Sequence, residues 1–304
     1  MNLVAYFSGD TVNYYGLMNA INNNLQKVGW KQVVGNLDSS SRLVHGIWEG
    51  AGDGTDKIYI QLRLDTATNQ KIFLDSCAGY DQLLDYWEQP GSIQQWLNKY
   101  DTNEIDQPVL TVPYNEKFYY WLFIDNFRLM LILRVGIIYE SAYIGFIRPI
   151  ACERQYPYPM YVAGNSHSFG GSWPNNSESM VFPKNNSGML RRADGTWRTF
   201  TVINGTNTSM NDGTIFPYNV NNKKLVPNYR DVDSINQINF LLLPVVLCTN
   251  NPTDVSGILR GVYWVSGTRD LDAERVLVFN DEQYMVFDTK QERGANTYFA
   301  IKLE

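Results

Sequence analysis

An amphipathic segment lies close to the N-terminus of the chain. Apolar residues recur there at spacings of three and four, in the order Tyr14, Leu17, Met18, Ile21, Leu25 and Val28. This period predicts a helix with one buried face. Asp10 or Thr11 can cap its first turn, and Gly29 supplies the left-handed residue at which the helix ends.

After this helix the apolar residues change from the helical period to alternation. In residues 57–64 they occupy every second position, at Ile58, Ile60, Leu62 and Leu64, which predicts a strand with one apolar face. Similar but shorter patterns predict strands at 30–34, 42–48 and 71–74. Residues 91–100, after Pro90, are expected to form a short helix.

The densest apolar stretch, residues 118–147, contains regularly spaced turn residues. Asp125-Asn126 and Gly136 divide it into three segments, and Leu129, Leu131 and Leu133 share one face of the middle segment. The expected strands are 118–124, 128–135 and 137–147. Strands joined by such short turns form an antiparallel meander.

Apolar patterning stops near residue 154 and returns at 240. The intervening residues 165–239 are rich in Asn, Ser, Gly and Thr, which predicts short strands and long loops. Further strands are expected at 240–247, 261–265, 275–279, 283–288 and 298–303, with Asn280-Asp281 forming a hairpin turn.

The sequence therefore predicts an α+β protein that is predominantly antiparallel β, a meander or sandwich with an N-terminal helix. Its expected divisions are an α+β domain (1–164), a loop insertion (165–239) and C-terminal hairpins (240–304). The hairpins either pack on the first domain or form a second β-domain.

The composition favours a protein that forms interfaces with other proteins. Charged residues are 18% of the 304, while Tyr, Phe and Trp number 20, 14 and 8. Tyr and Trp are enriched at protein interfaces. The net charge of -6 and the lack of a Lys/Arg run argue against nucleic-acid binding.

Targeting signals and disulfides are not expected. The three cysteines, Cys77, Cys152 and Cys248, are widely spaced and form no CxxC motif, so we expect small buried residues in a reducing cell. The first residues lack the pattern of a signal peptide, and the longest apolar run is too short to cross a bilayer.

No residue pattern predicts catalysis, a metal site or a cofactor. His45 and His167 are isolated in sequence, and His45 is expected to be structural. Residues 50–57 lack the spacing of a phosphate or calcium loop and are expected to form a hairpin loop. Asp75, Asp81, Asp85 and Glu88 are expected to be solvated rather than a glycosidase pair.

Two stretches resemble known proteins. Residues 138–146, followed by 155–159, and the C-terminal run from 257–267 to 300–303 are similar to a group of uncharacterised virion proteins of contractile-tailed bacteriophages and related prophages. The N-terminal helix leading into Gly29-Trp30 fits the same group. The resemblance leaves 166–239 uncovered, and the group has no established catalytic signature.

The resemblance implies a non-enzymatic structural subunit of the contractile tail or its baseplate. Its partners would be other tail or baseplate proteins and further copies of itself in a symmetric ring, assembled in the host bacterial cytoplasm into the virion. We expect the interface to include Gln155, Tyr156, Pro157, Tyr158, Pro159, Trp173 and Trp197.

Two alternatives remain open from the sequence. Aromatic residues on loops can stack on sugar rings, so the chain could instead be a glycan-binding receptor module, with Phe169, Trp173, Trp197 and Tyr218 as contact residues. A cell-wall hydrolase is the second alternative. It would need a placed acid pair or a metal, and the sequence indicates neither.

Overall fold

A computed structural model of the chain describes residues 4–65, 71–85, 88–93, 108–113, 116–150, 159–166, 181, 188–192, 194–200, 213–216, 232–233, 237–238, 242–249, 254–265, 271–288 and 298–303. In these residues the chain is mostly antiparallel β-sheet with one short helix. The helix α1 spans Tyr14–Lys27. The strands are β1 (Ala5–Thr11), β2 (Lys31–Asn36), β3 (Leu43–Gly50), β4 (Ile58–Asp65), β5 (Lys71–Cys77), β6 (Pro108–Thr111), β7 (Phe118–Ile124), β8 (Arg128–Val135), β9 (Ile138–Phe146), β10 (Met160–Ala163), β11 (Asn165–Ser166), β12 (Gly188–Arg191), β13 (Trp197–Phe200), β14 (Gly213–Phe216), β15 (Val232–Asp233), β16 (Gln237–Ile238), β17 (Leu242–Thr249), β18 (Asp254–Val265), β19 (Val276–Phe279), β20 (Glu282–Asp288) and β21 (Tyr298–Lys302).

The predicted helix is present, but it follows a strand that the sequence pattern did not predict. Because β1 continues to Thr11, the cap is Asn13 rather than Asp10 or Thr11. The Asn13 side chain accepts a hydrogen bond from the Gly16 amide at 2.8 Å. Gly29, with φ +95°, ends the helix as predicted, and the Trp30 amide donates back to the Leu25 carbonyl.

The predicted meander forms the middle of a seven-stranded central sheet. Its strand order is β1-β7-β8-β9-β10-β12-β13. Neighbouring side chains along β8 point to opposite faces, and both faces are buried: Leu131 packs in one core and Ile132 in another. The dense apolar run of residues 118–147 reflects this burial on two sides.

A six-stranded N-terminal sheet, in the order β11-β6-β5-β4-β3-β2, covers one face of the central sheet. The first core lies between these two sheets and includes Leu62, Leu131 and the apolar face of α1. The helix contacts β1 and β2, an edge strand of each sheet, and so closes one side of this core. On the other side the chain passes from β10 to β11 through Gly164. There a Cβ would lie 2.4 Å from the Val109 carbonyl oxygen.

A six-stranded C-terminal sheet covers the other face of the central sheet. Its order is β14-β17-β18-β21-β20-β19. The second core contains Trp121, Phe123 and Ile132 from the central sheet, with Phe287 and Phe299 from the C-terminal sheet. Three β layers therefore stack around two cores, and β15 pairs with β16 in a separate ribbon. The division into three domains stays a prediction.

Two local predictions are confirmed and one is corrected. Of residues 50–57, Gly50 ends β3 and residues 51–57 join β3 to β4 as a hairpin loop, and Asn280-Asp281 joins β19 to β20. Ile137 belongs to the two-residue turn after β8 and not to β9, because Gly136 takes the left-handed conformation. Of the expected helix at 91–100, the described residues 91–93 end a turn, and the remainder lies outside the described residues.

Candidate interaction surface

Most of the residues predicted to form an interface lie outside the described residues; these are Gln155, Tyr156, Pro157, Tyr158 and Trp173. Phe169 and Tyr218, which were expected to contact glycan in the receptor-binding alternative, lie outside them as well, and so does His167. Pro159 is described and buried, and its carbonyl accepts a hydrogen bond from the Ile147 amide at 3.0 Å. Pro159 therefore fixes the entry of the chain into β10.

Trp197 is the first residue of β13 and is half-buried. Its indole nitrogen donates a hydrogen bond to the Gly91 carbonyl at 2.8 Å, and its ring packs against the first core. The indole N–H of Trp197 is thus already hydrogen-bonded within the chain. Trp197 links the central sheet to the segment that follows β5.

That segment contains an acidic loop, which we define as residues 81–89. Gln89 is buried at its base. The side-chain oxygen of Gln89 accepts from the Asp81 amide at 2.8 Å, and its nitrogen donates to the carbonyls of Asp81, Leu84 and Asp85 at 3.0–3.1 Å. The Ala78 amide donates to the Pro90 carbonyl and closes the base. One buried amide side chain therefore holds the described backbone of the loop in place.

The acidic loop displays two leucines to solvent. Leu83 is 86% exposed and Leu84 is 41% exposed. Asp81, Asp85 and Glu88 flank them, and the sequence has no Lys or Arg between residues 72 and 98. Exposed apolar side chains with acidic neighbours in sequence, on a hydrogen-bonded loop, suit an apolar pocket with a basic rim.

Asp75 corrects the expectation of four solvated acids. Asp85 and Glu88 are exposed and Asp81 is partly so, but Asp75 is fully buried in β5. Its carboxylate accepts hydrogen bonds from the amides of Ser76, at 2.6 Å, and Ile93, at 3.1 Å. Asp75 therefore anchors the segment that returns from the acidic loop.

A buried arginine joins the central sheet to the C-terminal sheet. The Arg128 Nε donates to an Asp125 carboxylate oxygen at 3.1 Å, and its Nη1 donates to the Arg260 carbonyl. Gly261, with φ +59°, lets the backbone pass, because a Cβ there would lie 2.7 Å from the Arg128 guanidinium. The charges of Arg128 and Asp125 neutralise each other within the fold, so this ion pair has a structural role.

A second polar cluster lies on the same seam and is partly exposed. The Tyr139 hydroxyl donates to the Glu274 carboxylate at 2.6 Å, and Arg134 forms an ion pair with the same carboxylate. The Arg134 guanidinium also lies over the Tyr119 ring, 4.7 Å from its centre. Burial, and then the hydrogen bond to Glu274, raise the pKa of Tyr139.

Reactive side chains are dispersed in the described part of the chain. His45 is half-buried in β3, as expected for a structural residue. Cys77 and Cys248 are buried free thiols, and burial raises the pKa of both. The described residues contain no group of three or more His, Cys, Asp or Glu that could hold a metal.

In the described part of the chain, no helix is both long enough and apolar enough to cross a membrane.

The exposed leucines and the apolar edge strand β19 were not singled out from the sequence. Leu83-Leu84 fits neither the helical nor the strand period. Its position among acidic residues was the sequence feature that could have indicated exposure. In contrast, the Val-Leu-Val-Phe sequence of β19 is typical of a buried strand, although Val278 is 68% exposed and Phe279 is 55% exposed.

Comparison with protein-family models and with curated proteins gave no match to this chain. Function is therefore inferred from the surface and from the residues that build it.

Proposed function

We propose that the chain is a non-catalytic structural component of a bacteriophage virion, a subunit of the contractile tail or its baseplate that acts by protein–protein assembly. The observation that carries this proposal is the acidic loop, which holds Leu83 and Leu84 outward on a hydrogen-bonded frame. Side chains fixed before binding lose little entropy when they dock.

The segments that resemble virion proteins support the proposal through their place in the fold. Residues 138–146 form β9, and residues 257–265 lie in β18. The two strands contribute Tyr143 and Leu259 to the second core. The similarity thus falls on residues that build the three-layer fold, which suits a family of structural subunits.

The partner of the acidic loop would be a neighbouring tail protein with an apolar pocket and a basic rim. Carboxylates at Asp85 and Glu88 favour such a partner over an acidic one and make the contact sensitive to salt. The two leucines supply the apolar area, and the acids around them guide the docking.

Protein composition of purified particles tests the proposal. We expect tailed virions from the producing bacterium to contain the chain in a fixed ratio to other tail proteins. A chain that is abundant in the infected cell and absent from virions would overturn it. Binding of purified chain to host glycan, or release of soluble sugar fragments, would instead favour the receptor-binding or hydrolase alternatives.

Paired substitutions test the role of the acidic loop. In a phage that lacks the native gene, the double variant Leu83→Ser/Leu84→Ser should fold but give few complete tails. The matched control is Val12→Ser/Ile137→Ser, which removes two exposed apolar side chains elsewhere. Equal titres from both variants would show that the acidic loop is not an assembly contact.

A further inference from the structure

The turn between β7 and β8 is held in shape by one acidic residue. It consists of residues 125–127, which lie between the end of β7 and the start of β8. The Asp125 amide donates to the Arg128 carbonyl at 3.2 Å, and the Asp125 carboxylate accepts from the Phe127 amide at 2.7 Å. The backbone and the side chain of Asp125 therefore both close the turn.

Two carbonyl groups of this turn hold the N-terminal sheet. The Asp125 carbonyl accepts from the Trp30 indole nitrogen at 3.0 Å, and the Asn126 carbonyl accepts from the Gly52 amide at 2.9 Å. Trp30 immediately precedes β2, and Gly52 lies in the loop between β3 and β4. The turn thus contacts two separate segments that position strands of the N-terminal sheet.

The same turn also holds the C-terminal sheet. The Asp125 carboxylate accepts from the Arg128 Nε at 3.1 Å, and Arg128 in turn donates to the Arg260 carbonyl in β18. The Arg260 guanidinium lies 3.9 Å from the centre of the Phe127 ring. One residue, Asp125, therefore binds the entry to β2 through its carbonyl and orients the arginine that reaches β18 through its carboxylate.

Burial makes these contacts depend on one another. Arg128 is fully buried, and Asp125 and Trp30 are 6% and 3% exposed. A buried donor or acceptor that loses its partner carries the full cost of its desolvation, because water does not replace the partner. A contact of the turn is therefore lost at low cost only when the turn opens to water, and that opening releases the other contacts as well.

We propose that residues 125–127 form a coupling turn, through which a conformational change in either outer sheet is transmitted to the other. The outer sheets lie on opposite faces of the central sheet, and the turn contacts both. The element with two states is the turn itself, closed with its contacts made or open with them released. This inference does not depend on the virion proposal, since it rests on contacts within one chain.

Two buried tryptophans provide a matched test. Trp30 and Trp48 both pack in the first core, but the Trp48 indole nitrogen donates to the Asn22 side chain instead of the turn. Trp30→Phe should speed amide hydrogen exchange several-fold in residues 257–263 of β18, on the other outer sheet. Trp48→Phe should leave that exchange close to the wild-type rate. Exchange is measured in native buffer, where local opening governs it, and urea unfolding of each variant corrects for its loss of global stability. Faster exchange in β18 with both variants, or with neither, would overturn the coupling.

Replacing the acidic residue tests the turn directly. Asp125→Ala should speed exchange several-fold on both outer sheets, at the Gly52 amide and in residues 257–263. The control is Glu274→Ala, which removes an ion pair that joins the central and C-terminal sheets away from the turn. It should loosen the C-terminal sheet and leave the exchange of the Gly52 amide unchanged.

A conservative variant covers the case in which Asp125→Ala does not fold. Asp125→Asn keeps the size of the side chain and an acceptor for the Phe127 amide, but it removes the charge that orients Arg128. It should give smaller increases in exchange at the same two places. Faster exchange on one outer sheet alone, in either variant, would show that the turn does not couple the two sheets.

Discussion

Glu274 occupies a backbone conformation that L-residues disfavour. Its φ is 67°, and it forms a bulge with Arg275 opposite Val286 of β20. Glycine is the usual residue at such a position. The side chain, however, holds Arg134 and Tyr139 at the seam between two sheets. Backbone strain at this residue is thus offset by contacts that glycine could not make.

Two substitutions at Glu274 distinguish the effect of backbone strain on stability from the effect of the side-chain contacts. Glu274→Gly and Glu274→Ala both remove the carboxylate, but alanine keeps the left-handed strain. We expect the glycine variant to be more stable than the alanine variant by about 1 kcal/mol, measured by urea unfolding. Equal stabilities would show that the bulge relaxes without cost when the carboxylate is lost.

Gln89 is the residue on which the acidic loop depends. Gln89→Ala leaves the Asp81 amide and three carbonyls without their side-chain partner. We expect a loss of about 1–3 kcal/mol in unfolding free energy and faster hydrogen exchange at the Asp81 amide. Gln89→Glu keeps an acceptor for the Asp81 amide but turns a buried carboxylate toward the three carbonyl oxygens, so it should also be destabilised. Unchanged exchange in the alanine variant would mean that the loop is held by other contacts.

Strand β8 lies at the middle of the three layers and is the most sensitive element. Leu131 is fully buried in the first core. Leu131→Asp should give no soluble folded chain, because it would bury a charge without a partner. Ile137→Asp is the matched control, since Ile137 is exposed in the turn after β8 and should tolerate the change. A soluble Leu131→Asp variant with the melting temperature of the wild type would show that the meander does not lie in the core.

The meander was predictable because its turns are short and its apolar residues are dense. The face shared by Leu129, Leu131 and Leu133 was assigned correctly. Burial of the opposite face, at Met130 and Ile132, was not predicted, because it depends on the C-terminal sheet packing from more than a hundred residues away. Alternation shows which residues share a face and not what covers it.

Short and edge strands were the elements that sequence reasoning missed. Strand β1 alternates between exposed and half-buried residues and has no apolar run, and β6 and β10 have four residues each. Such segments become strands because a longer neighbour pairs with them. Likewise, the exposure of Leu83 and Val278 depends on where the layers end, which local pattern does not encode.

At the scale of the whole molecule, two cores share the central sheet, and tyrosines are buried in the second core and in a smaller apolar cluster on the opposite face of the N-terminal sheet. The Tyr143 side chain is fully buried, and its hydroxyl donates to the Phe146 carbonyl at 2.8 Å. Burial raises the pKa of Tyr143 to about 12, although the nearby Arg128 opposes the rise. Burial also raises the pKa of Tyr161 and, with a hydrogen bond to Glu49, the pKa of Tyr59 to about 12.

These buried tyrosines predict that the fold is sensitive to alkali. In the unfolded chain tyrosine ionises near pH 10, whereas in the folded chain Tyr143 and Tyr59 stay protonated to a higher pH. The folded pKa is thus raised, so the stabilising contribution is fully present below about pH 10 and is lost as pH rises toward 12. Urea unfolding at a series of pH values should show a constant free energy of unfolding up to about pH 10, followed by this decline.

The variant Tyr143→Phe tests the contribution of one tyrosine. It should be less stable than the wild type at pH 8, because the hydrogen bond of the hydroxyl is lost. Its free energy of unfolding should fall less steeply above pH 10, because one titrating group is gone. Parallel curves for the two proteins would show that Tyr143 ionises in the folded state as readily as in the unfolded chain, and that its burial does not couple to pH.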